Sequence, residues 1–432
     1  MNNSEPASSS NAREWKSGFL ACAVVLLVSA GAPRPASCSV AESVEARVIV
    51  AQNQGKADPV LVDPSCSTSQ LAHALEHAEL RYQRRYAAEL LGERGAKEAL
   101  PNLLNALKDR EEVVQKAAAE SLAKIGDESI FPALIEDTTH LNPRVREYSA
   151  YVLGRLGTKE NRGVVKSLES MAADKDKNVR GEVIYALYEI GSPSSRDIFV
   201  QGLNDEEPKA RKYAAIALGN VKDPAAGKAL AIAMQRESDE NVRRMIASAL
   251  GKVGSEYAVS ALVDAIPHET ESVRTDIAVA LGEIKTPEAV QALVGLLSDP
   301  SANVRSKAAA SLGATKDPSA TRALAGALKD RAAIVRRQAS QALVNAADAS
   351  VINELVEALG DADSTVADNA AVALVNMGEL QSVHALINVI DSPNVAQAKR
   401  ALSVLEEITH RPYGSDVGKW KTWYEENFKA HG

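Results

Sequence analysis

Three groups of residues carry types that could do chemistry. His73-Ala74-Leu75-Glu76-His77 has the H-x-x-E-H spacing. On one helix that spacing sets two imidazoles a turn apart beside a carboxylate, the arrangement of a zinc hydrolase. A second group is a recurring arginine: Arg84, Arg146, Arg180, Arg211, Arg243, Arg274, Arg305 and Arg336, with Asp174, Asp205, Asp299 and Asp330 each six residues before one of them. The third is tyrosine, with seven of the ten in the chain lying between Tyr82 and Tyr213. Zinc chemistry, anion binding and aromatic recognition are the corresponding activities, and the elements that carry these residues decide among them.

Those elements are set by a leucine that recurs as Leu91, Leu122, Leu153, Leu187, Leu218, Leu250, Leu281, Leu312, Leu343, Leu374 and Leu405. Successive gaps are 31, 31, 34, 31, 32, 31, 31, 31, 31 and 31 residues. So strict a period predicts a stack of one supersecondary unit rather than a single closed core. Each unit reads as two helices. In the seventh, Glu271-Ser272-Val273-Arg274 leads into Ile277-Ala278-Val279-Ala280-Leu281-Gly282, and Thr286-Pro287-Glu288 starts a second helix with Val290, Leu293, Val294 and Leu297 on one stripe. Gly92, Gly154, Gly219, Gly251, Gly282 and Gly313 each follow an anchor leucine. A helix-interior glycine costs about 1 kcal/mol against alanine, so close approach of a neighbouring backbone is the expected compensation. Gly95, Gly126, Gly157, Gly191, Gly254 and Gly378 stand where a left-handed C-cap is expected between the two helices. Pro193, Pro224, Pro287 and Pro318 open second helices, where a missing N–H is tolerated.

The phrase D-x-x-x-x-V-R-x-x-A-A-x-A-L-G, read as DPSANVRSKAAASLG from Asp299 to Gly313 and DEEPKARKYAAIALG from Asp205 to Gly219, is similar to the phycobilisome-lyase-type HEAT-like repeat family. The resemblance covers about three quarters of the chain and implies an all-α fold, a right-handed α-solenoid of about eleven two-helix repeats. It also implies that the Val-Arg helix lines the inner, concave surface, where partners bind. Functions within such a family range widely, so the resemblance alone fixes no activity. A bilin lyase, or a chaperone-like lyase subunit, is the enzymatic alternative that it raises. Deoxyhypusine hydroxylase, an enzyme of the same repeat superfamily, holds two irons through His-Glu pairs. The comparable slots here read Arg85-Tyr86, Glu147-Tyr148, Lys212-Tyr213, Arg244-Met245 and Thr275-Asp276, without a histidine.

Placed on these elements, the three groups separate. His73 and His77 fall opposite the apolar face of Leu71, Leu75 and Ala78 on a capping helix, a solvated face without a pocket. Neither a catalytic nor a metal-binding residue is assigned, and the chain carries no nucleophile motif, phosphate loop or other sign of a cofactor. The arginines read as a structural ladder that bonds turn carboxylates and helix termini of adjacent repeats. Ala367 and Ala398 replace them in the last two repeats. The tyrosines point to partner binding. Tyr86, Tyr148 and Tyr213 share one slot, five before the anchor; Tyr151 and Tyr185 share another, two before it; Arg85, Lys212 and Arg244 lie alongside. Tyrosine and arginine are the residue types enriched at binding hot spots, so this stripe is expected to grip an acidic or amphipathic protein segment.

With 49 basic against 57 acidic residues, a net charge of -8, the chain lacks the dense positive surface of a general nucleic-acid binder. At the N-terminus, Arg13 and Lys16 precede an unbroken small and apolar stretch from Gly18 to Ala32. Its length falls short of the roughly 20 residues of a bilayer span and suits an export signal, which predicts a periplasmic or envelope location in a bacterium. Pro35-Ala36-Ser37-Cys38 loosely resembles a lipoprotein box, which would put a lipid on Cys38; ordinary cleavage would instead leave Cys38 and Cys66 in an oxidising compartment, available to pair as a disulfide. A membrane link is thus expected only through that lipid or an uncleaved signal. The boundaries read 1–38 for the signal, 39–66 for an irregular leader, 67–79 for a capping helix, 80–410 for the solenoid and 411–432 for an aromatic cap around Trp420, Trp423 and Tyr424.

Overall fold

The computed structural model describes residues 62–378 and 380–428. Cys38, the export signal and most of the leader lie outside the described residues, so the lipid and disulfide expectations find no structure to meet.

The first element, α1 (Thr68–His77), is fixed by a reciprocal cap: the Ser67 hydroxyl accepts from the Gln70 amide while the Gln70 side chain accepts from the Ser67 amide. Leu71, Ala74 and Leu75 bury its apolar face, and His73 and His77 stand on the exposed one with ring centroids 4.5 Å apart. Helix pairs follow. They are α2 (Arg81–Glu93) with α3 (Leu100–Ala106), α4 (Glu112–Ile125) with α5 (Phe131–Asp137), and α6 (Pro143–Leu156) with α7 (Arg162–Ser170). Next come α8 (Lys177–Ile190) with α9 (Arg196–Gly202), α10 (Pro208–Val221) with α11 (Gly227–Arg236), and α12 (Glu240–Val253) with α13 (Glu256–Ala265). Then α14 (Glu271–Ile284) with α15 (Pro287–Leu296), α16 (Ala302–Thr315) with α17 (Thr321–Ala327), and α18 (Ala333–Leu343) with α19 (Ile352–Ala358). The series ends with α20 (Ser364–Met377) and α21 (Leu380–Ile387), then α22 (Val395–Thr409) and α23 (Val417–Phe428). The described residues are thus an all-helical two-layer solenoid.

Ten of the eleven anchor leucines are fully buried and the other, Leu312, is 1% exposed. They sit on the first helix of each pair, and each first helix packs on the next. Second helices are shorter and touch one another less. The glycines after the anchors make the close approach that their position predicts. A Cβ on Gly154 would lie 2.6 Å from the Cα of Ala186, and one on Gly219 2.9 Å from the Cα of Ala249.

Between the paired helices, Gly126, Gly191, Gly254 and Gly378 take the left-handed conformation, as does Gly95. Gly157 does not: it is extended at φ -71°, at the start of the turn that accounts for the 34-residue gap. What demands glycine there is space, because a Cβ would stand 2.5 Å from the carbonyl oxygen of Leu153. Lys222, Lys285 and Lys316 hold the left-handed position in repeats that lack the glycine. Pro193, Pro224 and Pro318 begin single 3₁₀ turns that feed the second helices, and Pro287 opens α15 directly.

Helix α23 stands where an eleventh second helix would, against α21. Trp420 is fully buried, donates its indole N–H to the Gly414 carbonyl at 2.8 Å and meets Tyr413 edge-on at 5.0 Å. The C-terminal aromatics therefore cover the last apolar face of the stack.

Candidate functional site on the first-helix layer

Each ladder arginine sits one residue past a buried residue near the start of its first helix (Gln83 before Arg84, Val or Ala before the others), so its side chain emerges at the inter-repeat turn. Arg305 is representative. Its Nε and Nη2 donate to the two carboxylate oxygens of Asp330 at 2.7 and 2.9 Å, and its Nη1 donates to the Asp299 carbonyl at 2.8 Å. Arg84 pairs likewise with Asp109, Arg146 with Asp174, Arg180 with Asp205, Arg274 with Asp299 and Arg336 with Asp361. Arg211 and Arg243 make the same bidentate pair with Glu237 and Glu269, two longer acids that stand in for aspartate. The aspartate six residues before an arginine thus offers that arginine only its carbonyl; its carboxylate belongs to the arginine of the preceding repeat. Asp205 shows both bonds, to Arg180 through the side chain and to Arg211 through the main chain. Each ladder aspartate, and Glu237, also accepts from the amide two residues on, as Asp330 does from Ala332 at 2.8 Å, which fixes the turn.

The ladder is interrupted once within the stack. Gln115 occupies the arginine slot of the second repeat, and His140 occupies the aspartate slot that an arginine there would reach. Gln115 Nε2 keeps the main-chain bond, to the Asp109 carbonyl at 2.7 Å, while His140 Nδ1 keeps the turn bond, accepting from the Asn142 amide at 3.1 Å. Nothing replaces the ion pair.

The tyrosines fall into two parts. Tyr185, Tyr188 and Tyr213 form one cluster across α8 and α10, with centroids 4.6 Å apart for Tyr185–Tyr213 and 5.6 Å for Tyr188–Tyr213. Lys209 Nζ lies 5.3 Å from the Tyr185 centroid and Lys212 Nζ 5.3 Å from that of Tyr213, within cation–π range. Tyr188 shares neither tyrosine slot and stands instead after an anchor leucine, where six repeats carry glycine. Tyr86, Tyr148 and Tyr151 are half-buried on the same layer, in repeats one and three.

The flanking cations are engaged within the chain. Arg85 pairs with Glu89 at 3.3 Å, Arg244 with Asp276 at 2.6 Å, and Lys209 with the buried Glu182. Acids also surround the rings. Burial, aided by Glu112 and Glu147, pushes the Tyr148 hydroxyl up to about 12. Burial likewise raises Tyr151 and Tyr185. Glu147 is raised too, by burial first and then by Glu182. The Tyr148, Tyr151 and Tyr185 phenols are therefore held as hydrogen-bond donors, and the surface is aromatic with mixed charge rather than a positive rim.

Among the described residues no group of three or more His, Cys, Asp or Glu side chains could hold a metal ion, and no helix is long and apolar enough to cross a membrane. The clefts are shallow grooves between repeats; one of about 320 Å³ is lined by Tyr188, Phe199, Ala217 and Asn220 beside the tyrosine cluster.

The family model described as HEAT repeats matches residues 68–140, 131–206, 196–281, 267–344 and 323–406. The phycocyanobilin lyase subunit alpha of Picosynechococcus sp. is 28% identical over 169 residues, covering 36% of this chain and 62% of that protein. A HEAT repeat-containing taxis protein of Halobacterium salinarum is 28% identical over 166 residues, covering 34% of this chain and 40% of that protein. The chain therefore spans less than two thirds of either relative. Among solved structures, yeast importin-beta (Kap95p) superposes with a TM-score of 0.54 at 14% identity, covering 83% of this chain and 58% of that one. Kap121p gives 0.53 at 14% identity, covering 84% and 47%. Kap121p has also been solved bound to RanGTP, and Kap95 in complex with Nup1.

Proposed function

This chain belongs to the HEAT-repeat family, and from that premise we propose that it is an exported, non-enzymatic scaffold that binds another protein along its first-helix layer. The observation that carries the reading is the cluster of Tyr185, Tyr188 and Tyr213, three half-buried rings of successive repeats held within about 6 Å of one another. Tyrosines in such numbers offer large contact area at low entropic cost. First helices lie closer together than second helices, so the stack bends toward the layer that bears them. That the importins are solved with protein partners supports the same use of this fold. Because Arg85 and Arg244 are engaged by their own acids, the partner segment is read as amphipathic rather than strongly acidic.

Export is part of the proposal and rests on the Gly18–Ala32 stretch with the small residues after it. Mass spectrometry of the mature chain is expected to find a first residue between Pro33 and Glu42; an intact Met1 on most of the protein overturns it, and an acylated Cys38 assigns the lipid branch.

Binding is tested by replacing Tyr148 and Tyr185 with alanine and comparing capture of envelope proteins with a control pair changed at Gln338 and Asn369. Loss of roughly 2–4 kcal/mol of binding is expected if both are hot spots; a folded double mutant that captures as well as the control overturns it. The similarity to the lyase subunit favours a second reading, bilin attachment. A bilin-transfer assay with the purified chain decides between them, activity above background favouring the lyase.

A further inference from the structure

Two ties recur at the joints between successive first helices. One is the glycine after the anchor leucine, which brings the next helix into contact at Gly92–Ser121, Gly154–Ala186, Gly219–Ala249, Gly251–Ala280, Gly282–Ser311 and Gly313–Ala342. The other is the bidentate arginine. Four joints lack the glycine, carrying Ala123, Tyr188, Val344 and Val375 in its place, and these are the four at which the paired helices approach least. Two joints lack the arginine pair. The last of these, α20/α22, has substitutes: Asn394, Gln397 and Arg400 donate to the carbonyls of Gly360, Val356 and Leu359. At α4/α6 both ties are missing together, and the substitutes are few.

What remains between the second and third repeats, beside apolar packing, is an Arg144–Glu112 pair at 2.8 Å with both side chains about half exposed (52% and 53%), an exposed 3.5 Å bond from Asn161 to Glu128 and a 3.3 Å hydroxyl contact between Thr138 and Ser167. Exposed pairs of this kind contribute little. Each helix of the joint also carries a buried polar atom without a hydrogen bond, Gln115 Oε1 on α4 and Ser149 Oγ on α6. Such groups favour any movement that admits water. The connecting turn carries Leu141, 93% exposed. In a stack where stability is a sum of neighbour interfaces, a joint that lacks both ties and has only exposed substitutes is a place where the stack gives.

We propose that the α4/α6 joint is a hinge, about which the capping helix and first two repeats turn against the stack that begins at α6. Turning there changes the separation of Tyr86 from Tyr148, so the hinge adjusts the spacing of the aromatic surface offered to a partner. Only this last step rests on the protein-binding reading. The hinge itself is measured without a partner, so its failure and that of the binding reading are separate results.

The test is a pair of spin-label distance distributions on the full chain, with native cysteines replaced by serine. Labels at Glu98 and Lys166, both exposed, span the α4/α6 joint; labels at Lys228 and Gln291, also exposed, span joints with both ties. The first distribution is expected to be at least about twofold wider than the second. Gln115→Arg with His140→Asp, which supplies both halves of the missing clamp, is expected to narrow it toward the control. Should that variant not fold, Ala123→Gly, which supplies the other tie, is expected to narrow it as well. Equal widths in the unmodified chain, or a width that a folded repair variant leaves unchanged, overturns the hinge.

Discussion

Gly251 and Ala280 stand in successive first helices so close that a Cβ on the glycine would lie 2.7 Å from the Cα of the alanine. Helix propensity favours Gly251→Ala by about 1 kcal/mol, yet the contact is with backbone and cannot yield cheaply. Overpacking of this kind costs about 1–3 kcal/mol, so the substitution is expected to destabilise. Gly295, in α15, has no atom within 4 Å of the same construction. Gly295→Ala is expected to be neutral or stabilising by up to about 1 kcal/mol. Denaturation midpoints of the two variants should move in opposite directions or differ clearly in size.

Removing Asp330 would leave the Arg305 guanidinium, 6% exposed, without its partner. Breaking such a buried pair costs about 3–5 kcal/mol, so Asp330→Ala should loosen repeats eight and nine in hydrogen exchange and leave the N-terminal repeats unchanged. Acid provides an independent measure. The bond from Arg305 holds the Asp330 carboxyl below its ordinary range. Its contribution is therefore complete above the unfolded pKa, about 3.9, and lost as pH falls below that through the folded value. Asp330→Asn should flatten this limb of the stability profile.

Glu147 behaves in the opposite sense. Burial and the neighbouring Glu182 raise its carboxyl in the folded state, so the native chain holds the proton more tightly than the unfolded one. Stability then falls as pH rises from the unfolded value, about 4.3, through the folded one. Glu147→Gln should stabilise the chain at neutral pH, with the gain vanishing below about pH 4. A gain of the same size at pH 3 would assign the effect to packing instead.

Trp420→Ala removes a fully buried indole and its bond to Gly414. A loss of about 3–5 kcal/mol is expected, confined by neighbour coupling to the last repeats. Exchange should quicken in α21 and α22 and stay unchanged in α2 through α12; uniform loosening would contradict the cap.

Much of the fold was legible because period and burial coincide: an invariant leucine at a 31-residue spacing has to be the residue that every repeat buries, and Leu91 through Leu405 are. The close-packed glycines were legible for the same reason, since a costly residue repeated at one slot needs a contact to offset it. Gly157 was not, because its twin causes, turn conformation and steric room, leave the same letter in the chain. The ladder roles of Glu237 and Glu269 were not legible, because a longer acid does not match a slot that aspartate defines. The surroundings of the tyrosines were least legible. Slots place Tyr148 and Tyr185 on one layer, but Glu182, Lys209 and Asp276 reach them or their neighbours across joints, and pairing across joints depends on rotamers that spacing does not encode.

Every ladder arginine is completed by a carboxylate 25 to 28 residues farther along the chain, never by an earlier one. As the polypeptide is made, each of these repeats waits with an uncompensated charge at its edge until the next turn appears and closes it. Assembly then proceeds from the N-terminus one repeat in arrears, and any pause leaves one open edge rather than many. Trp420 then covers the apolar face that the preceding repeat leaves open.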